Sequence, residues 1–218
     1  MTFAHRRRFG GAIVVVAIGL IALTGSSHAP APPREVGPLA VTTFAVLGDS
    51  ISAGQSPSLP DDVDPTTWIS YAQSRTVRWV GGWTRGGSTT SDLLEHLTPV
   101  GADVLVVLGG TNNVNKGLAF ATAERDLIAI GAGCACGSLL VVAIPPNEMH
   151  PLVAAVYNQQ LLELARQHGW SYVDPWVAER HGVRWRDGRS IDGVHPVIEV
   201  FAGVGRQIRA AILEAAGA

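Results

Sequence analysis

The sequence predicts a three-layer α/β domain, with helices on both sides of a parallel sheet. Apolar runs of strand length alternate along the chain with longer stretches of helical period, as βαβ units require. The runs are dense in Val, Ile and Leu, which suits strands buried on both faces. A chain of 218 residues is long enough to bury one continuous core and short for two.

Strands are expected near 41–47, 77–81, 103–108, 139–144 and 171–173. Between and after them the period changes. Phe120, Ala123, Leu127 and Ile130 recur three or four residues apart, as do Val153, Tyr157, Leu161 and Leu164, and then Phe201, Val204, Ile208 and Ile212. These stripes read as the core faces of three helices. A hydrophobic fraction of 47% with 25 Gly and 13 Pro describes a globular chain with many turns, neither disordered nor collagen-like.

The first residues do not belong to that core. Arg6, Arg7 and Arg8 make a basic start, 12–23 is an uninterrupted apolar run, and 26–33 is rich in small residues and proline. That order is the order of an export signal. The run falls short of the roughly 20 residues that span a bilayer, which favours a cleaved signal peptide at 1–31 over a permanent anchor, with both readings open. A proline-rich linker is expected at 32–40 and the folded domain at 41–218. The protein is accordingly expected outside the cytoplasm, secreted or tethered by an uncleaved N-terminal helix, with membrane contact through that segment alone.

Charge excludes one class of partner. Three of the 16 basic residues and none of the 18 acidic ones precede residue 32, leaving a net charge of −5 on the remainder. A mildly acidic chain without a Lys/Arg stripe argues against nucleic acid. Cys134 and Cys136, one residue apart, either close a very small disulfide or remain two thiols at a helix-to-strand turn. They lack the four-ligand set of a zinc site.

In an open parallel sheet, ligands bind beyond the carboxyl ends of the strands. Three unusual segments stand there: Gly48-Asp49-Ser50 after the first strand, Arg85-Gly86-Gly87-Ser88-Thr89-Thr90 after the second, and Gly109-Gly110-Thr111-Asn112-Asn113 after the third. On its own Ser50 reads as readily as a helix cap as a nucleophile. The far end of the chain changes the balance. In Asp192-Gly193-Val194-His195-Pro196, a tight turn can aim the Asp192 carboxylate at imidazole Nδ1 of His195 and leave Nε2 free for a serine. Nucleophilic catalysis by Ser50 needs such a base and such an orienting carboxylate. Gly87, through its backbone N–H, and Asn112, through its side-chain amide, are suitable oxyanion donors.

With Ser, Gly, Asn and His in this order, the chain resembles the SGNH hydrolases, also called the GDSL family of esterases and lipases. Gly48-Asp49-Ser50, Gly87, Gly110-Thr111-Asn112-Asn113 and Asp192-Gly193-Val194-His195-Pro196 match the four family blocks. The resemblance implies a flavodoxin-like, five-stranded parallel sheet flanked by helices, and a serine esterase acting through an acyl-enzyme. Ser50 would be the nucleophile, His195 the base and then the acid, and Asp192 its orienter. The N–H groups of Ser50 and Gly87 with the Asn112 amide would form the oxyanion hole, with no metal or organic cofactor. Asn113 stands where the family commonly has Asp, Glu199 where a small residue is frequent, and Ile51 where leucine is usual.

The substrate is expected to be a carboxylic ester with a small acyl or acetyl group, of a small molecule, glycan or lipid, and the protein a monomer. Trp83, close in sequence to Gly87, is a candidate pocket wall, while most of the six tryptophans suit the core. An acyltransferase of the same fold, or a glycan- or lipid-binding module with impaired catalysis, are the alternatives.

Overall fold

Strands that read as buried on both faces do pair as a parallel sheet. The structure is a computed structural model that describes residues 40–54, 64 and 66–217. The expected signal or anchor at 1–31, and all but the last residue of the expected linker, lie outside the described residues. Five parallel strands, β1 (Thr42–Gly48), β2 (Val77–Thr84), β3 (Val104–Leu108), β4 (Ser138–Val142) and β5 (Ser171–Val173), form one sheet in the order β2-β1-β3-β4-β5. This is the flavodoxin-like order, which reverses direction between β1 and β3.

Alternation along the strands separates two core layers. Phe44, Val46, Val104, Val106, Leu108, Leu140 and Val142 face one way, against α2 (Trp68–Ala72) and the C-terminal helix α7 (Ile198–Ala215). Ala45, Leu47, Leu105, Val107, Leu139 and Val141 face the other way, against α3 (Thr90–Glu95), α5 (Phe120–Gly133) and α6 (Pro151–His168). Two short helices, α1 (Ser50–Ala53) and α4 (Thr111–Asn115), follow β1 and β3 directly, and a small antiparallel pair, β6 (Arg180–His181) and β7 (Arg184–Trp185), follows β5. Among the described residues no helix is long and apolar enough to cross a membrane.

Two details differ from the sequence expectation. β2 runs to Thr84, three residues beyond its expected end at 81, because the register slips between Phe44 and Ala45 and the strand continues through Gly81 and Gly82. A β-bulge of this kind uses glycine where another backbone passes close. At Gly82, φ is +123° and a β-carbon would meet the Val46 carbonyl oxygen at 2.0 Å. On α6 the buried face begins at Ala154, with Tyr157, Leu161 and Leu164, whereas Val153 is exposed. The apolar pattern drew the stripe through the bulkier neighbour.

Helix α7 closes over α2 at a glycine. A β-carbon on Gly205 would meet the Trp68 carbonyl oxygen at 2.5 Å and Tyr71 Cβ at 2.6 Å. Gly205→Ala should therefore destabilise the fold by about 1–3 kcal/mol, as overpacking does, even though alanine gains about 1 kcal/mol of helix propensity. Urea unfolding of the two proteins measures the sign.

Candidate active site

Buried β1 delivers Gly48, Asp49 and Ser50 to the carboxyl edge of the sheet. Asp49, not Ser50, caps α1: its backbone is extended and its Oδ1 accepts the Ile51 N–H at 3.0 Å. Ser50 is thereby the first helical residue, whose N–H has no carbonyl to bond within the helix. Gly48 packs against the same turn, since a β-carbon there would overlap the Ser52 side chain at 2.5 Å. Ser52 Oγ in turn accepts the indole N–H of buried Trp68 at 3.0 Å.

The 190–196 loop brings Asp192 and His195 to Ser50. Asp192 Oδ1 accepts the N–H groups of Val194 (3.0 Å) and His195 (2.7 Å), a turn closed by an Asp side chain upon its own backbone. Ser190 Oγ accepts the Gly193 N–H and donates to the His195 carbonyl. Gly193 has φ +86° and fits tightly against Glu148, whose N–H donates to the Gly193 carbonyl at 2.8 Å. The turn presents Asp192 Oδ2 to His195 Nδ1 at 2.7 Å, and His195 Nε2 lies 2.9 Å from Ser50 Oγ. With Nδ1–H donating to the carboxylate, Nε2 accepts the serine O–H. Partial burial pushes the Asp192 carboxyl up, but the His195 N–H, the ring and the Val194 N–H together hold it below its ordinary value. The pair is open to water, the Asp192 and His195 side chains being 52% and 40% exposed.

The two expected oxyanion donors stand on segments that are tied together, Gly87 in the loop after β2 and Asn112 in the first turn of α4. Gly87 has φ +81°, a left-handed conformation natural to glycine, and its carbonyl accepts Lys116 Nζ at 3.2 Å. At neighbouring Gly86 a β-carbon would lie 3.9 Å from Ser50 Cβ, so the glycine loop passes beside the serine. Asn112 Nδ2 donates to the Ser88 carbonyl at 2.9 Å. That bond uses one amide hydrogen and leaves a second.

Asn113, the departure from the family pattern, is buried and satisfied. Its Oδ1 accepts the Thr90 N–H at 3.0 Å and its Nδ2 donates to Thr90 Oγ1 at 2.8 Å. Thr90 Oγ1 passes its own hydrogen to Asp126 Oδ2 at 2.9 Å. A carboxylate is thus present in the network, supplied by α5. The sequence reading missed Asp126, as it missed Glu148 behind Gly193, and no local spacing would have revealed either.

Asp49 was also missed, although an acid before the nucleophile candidate is a helix-cap signature. It is fully buried, and burial pushes its pKa from 3.8 up to about 6 against the pull of the Ile51 N–H, the Thr111 hydroxyl and His195. Asp49 Oδ2 and Thr111 Oγ1 nevertheless lack hydrogen bonds of good geometry, so the hydroxyl compensates the acid only in part. Trp83 stacks on His96 with ring centroids 4.1 Å apart and packs on the α5 side of the sheet. Trp68 and Trp176 are fully buried in the core. A cavity of about 340 Å³ between α6, β5 and the β6–β7 pair, lined by Pro145, Leu162 and Tyr172, contains none of the five site residues.

A flavodoxin-order sheet with Ser, Gly, Asn and Asp/His loops gathered at one edge defines a carboxylic ester hydrolase of the SGNH type. The model of the GDSL-like lipase/acylhydrolase family matches residues 46–197, and the chain belongs to that family. Among solved structures it is similar to TesA (20% identity, TM-score 0.64, covering 78% of this chain and 98% of that one). It is also similar to an aryl esterase of M. smegmatis (15%, TM-score 0.60, 80% and 100%) and to a carbohydrate acetylesterase, Est24, of Sinorhizobium meliloti (16%, TM-score 0.58, 79% and 99%). At these identities the likeness is one of fold. No curated protein matches the sequence.

Two substitutions test the buried polar groups. A carboxyl with a raised folded-state pKa stabilises the fold below its unfolded pKa and loses that contribution as pH rises through the folded value. Wild type should therefore lose about 3 kcal/mol relative to Asp49→Asn between pH 4 and 7, two pKa units being worth that much; parallel urea-stability profiles would show no shift. Asn113→Asp removes the donor to Thr90 Oγ1 and adds a charge near Asp126. A loss of about 1–3 kcal/mol is expected, read from the same unfolding curves.

Proposed function

We propose that this chain is an exported serine esterase that hydrolyses small acyl esters through an acyl-enzyme on Ser50. The observation that carries the reading is the continuous chain of hydrogen bonds from Ser50 Oγ through His195 to Asp192, at 2.9 and 2.7 Å. In it, Ser50 Oγ attacks the ester carbonyl carbon while His195 Nε2 takes its proton. Asp192 holds the ring with Nδ1–H toward the carboxylate and stabilises the imidazolium. The oxyanion meets the Ser50 and Gly87 N–H groups and the free amide hydrogen of Asn112. The alkoxide then leaves with the proton from Nε2, and a water activated by His195 releases the acid and Ser50.

Small acyl groups are favoured because two neighbours of the same fold bear the names aryl esterase and carbohydrate acetylesterase. Export rests on the basic start and apolar run before residue 32. The protein acts as a monomer, which size-exclusion chromatography tests.

Turnover of p-nitrophenyl acetate, butyrate and longer esters tests the mechanism. Ser50→Ala and His195→Ala should each lower kcat by about 10⁴- to 10⁶-fold, and Asn112→Ala by about 10²- to 10³-fold. Rates should fall with acyl length, with a burst of p-nitrophenol equal to the enzyme. Unchanged hydrolysis by Ser50→Ala would remove the serine from the mechanism. Glycan or lipid retention without turnover would indicate a binding module, and acyl transfer to an added sugar alcohol in preference to water would indicate a transferase.

A further inference from the structure

The turn joining α5 to β4 carries a feature that ester hydrolysis does not use. Cys134 and Cys136 are joined by a disulfide across a single residue, with Cα atoms 5.2 Å apart. Cys134 caps α5 in helical conformation, and Ala135 follows with φ +46°. That position after a helix normally holds glycine, which adopts the left-handed region without cost. Among the described residues Ala135 is the one non-glycine residue with positive φ.

We propose that the Cys134–Cys136 pair is an exchangeable disulfide that oxidises small-molecule thiols. Three observations lead there. First, a loop this short restrains the unfolded chain little, its closure entropy being about half that of a 15-residue loop. Second, Ala135, between the two sulfurs, is held at φ +46°, a left-handed conformation that costs a non-glycine residue. Third, the site is reachable: Ala135 is exposed and Cys136 half-buried, while Cys134 is buried. Strained or exposed disulfides are the labile ones.

Opening the bond leaves the turn anchored. The Gly137 N–H donates to the Ala102 carbonyl at 3.2 Å and the Ser138 N–H to the Asp103 carbonyl at 2.9 Å, and neither bond involves a sulfur. Cys134 Sγ lies 3.6 Å from the Gly131 carbonyl oxygen, an acceptor for the thiol once reduced. Cys136, the more exposed of the two, is the sulfur that meets the incoming reagent, and Cys134 is the leaving sulfur.

A thiolate attacks Cys136 Sγ, the S–S bond breaks, and Cys134 leaves as a thiolate that takes a proton. A second thiolate attacks the small-molecule sulfur of the mixed disulfide, which releases Cys136 as a thiolate that also takes a proton. Two thiols have become one small disulfide, their two protons reside on the cysteines, and the pair has gained two electrons. The turn precedes β4 and so lies at the opposite end of the strands from Ser50, leaving ester turnover as an independent report on the fold.

The full chain is equilibrated without denaturant in buffers of varied reduced and oxidised glutathione, quenched with acid, and its thiols counted by alkylation and mass. Reduction of the pair is expected with ester turnover and circular dichroism unchanged, and Cys134→Ser should accumulate glutathione on Cys136. Ala135→Gly should shift the equilibrium toward the disulfide by about 5- to 30-fold, the cost of a left-handed non-glycine residue. A pair that stays oxidised until the protein unfolds, a fold that collapses on reduction, or an Ala135→Gly equilibrium equal to wild type would each overturn the proposal.

Discussion

Strand β1 is hydrogen-bonded on both sides and buried on both faces, and the candidate site hangs from its last residue. Its parallel pairing with β2 on one side and β3 on the other brings three carboxyl ends together at the point where the strand order reverses. Serine, glycine loop and asparagine loop are neighbours for that reason alone. The bulge at Val80 and the close-packed Gly82 belong to the same constraint, since they let β2 run close along β1 to its carboxyl end.

Position at a sheet edge does not fix side-chain geometry, and here polar contacts between loops do so. Asn112 ties the β3 loop to the β2 loop through Ser88, and Asn113 ties it to α3 through Thr90 and onward to Asp126 on α5. Buried Asn147 after β4 donates to Asn115 on α4 at 2.6 Å, while its neighbour Glu148 holds Gly193. Each segment of the site is thus braced by a different element. Buried polar networks of this kind specify one arrangement when every member is bonded. Asp49 Oδ2 and Thr111 Oγ1 depart from this, buried without a well-formed hydrogen bond, as does Thr84 Oγ1 at the end of β2.

What could be read in the sequence is what local chemistry decides. Strand runs, helical stripes and the Asp192–His195 turn depend on residues near one another in the chain, and each appears close to where it is expected, with shifts at the end of β2 and the start of the α6 stripe. The rule for parallel sheets places the segments holding Ser50, Gly87 and Asn112 at one edge and needs only the strands to be right, whereas the contact of His195 with Ser50 comes from the Asp192 turn. The errors share a cause as well. Val153 displaced Ala154 because size outweighed phase, and β2 was expected to end at 81 because the bulge that carries it further depends on the partner strand. Asp126 acts on Thr90 from 36 residues away, and no pattern along a single chain links them. Whether Cys134 and Cys136 were bonded was open for a similar reason, since it rests on the turn conformation.

The exposure of Asp192 and His195 has a consequence for what completes the site. In contact with bulk water, the electrostatic support that the carboxylate lends a protonated imidazole is diluted by solvent and by dissolved salt. An acyl or alcohol group seated over the ring would displace that water and lower the local dielectric at the moment charge develops. Under the proposed mechanism the ligand acts as part of the enclosure, and esters that shield the imidazole equally well need not resemble one another in any other respect.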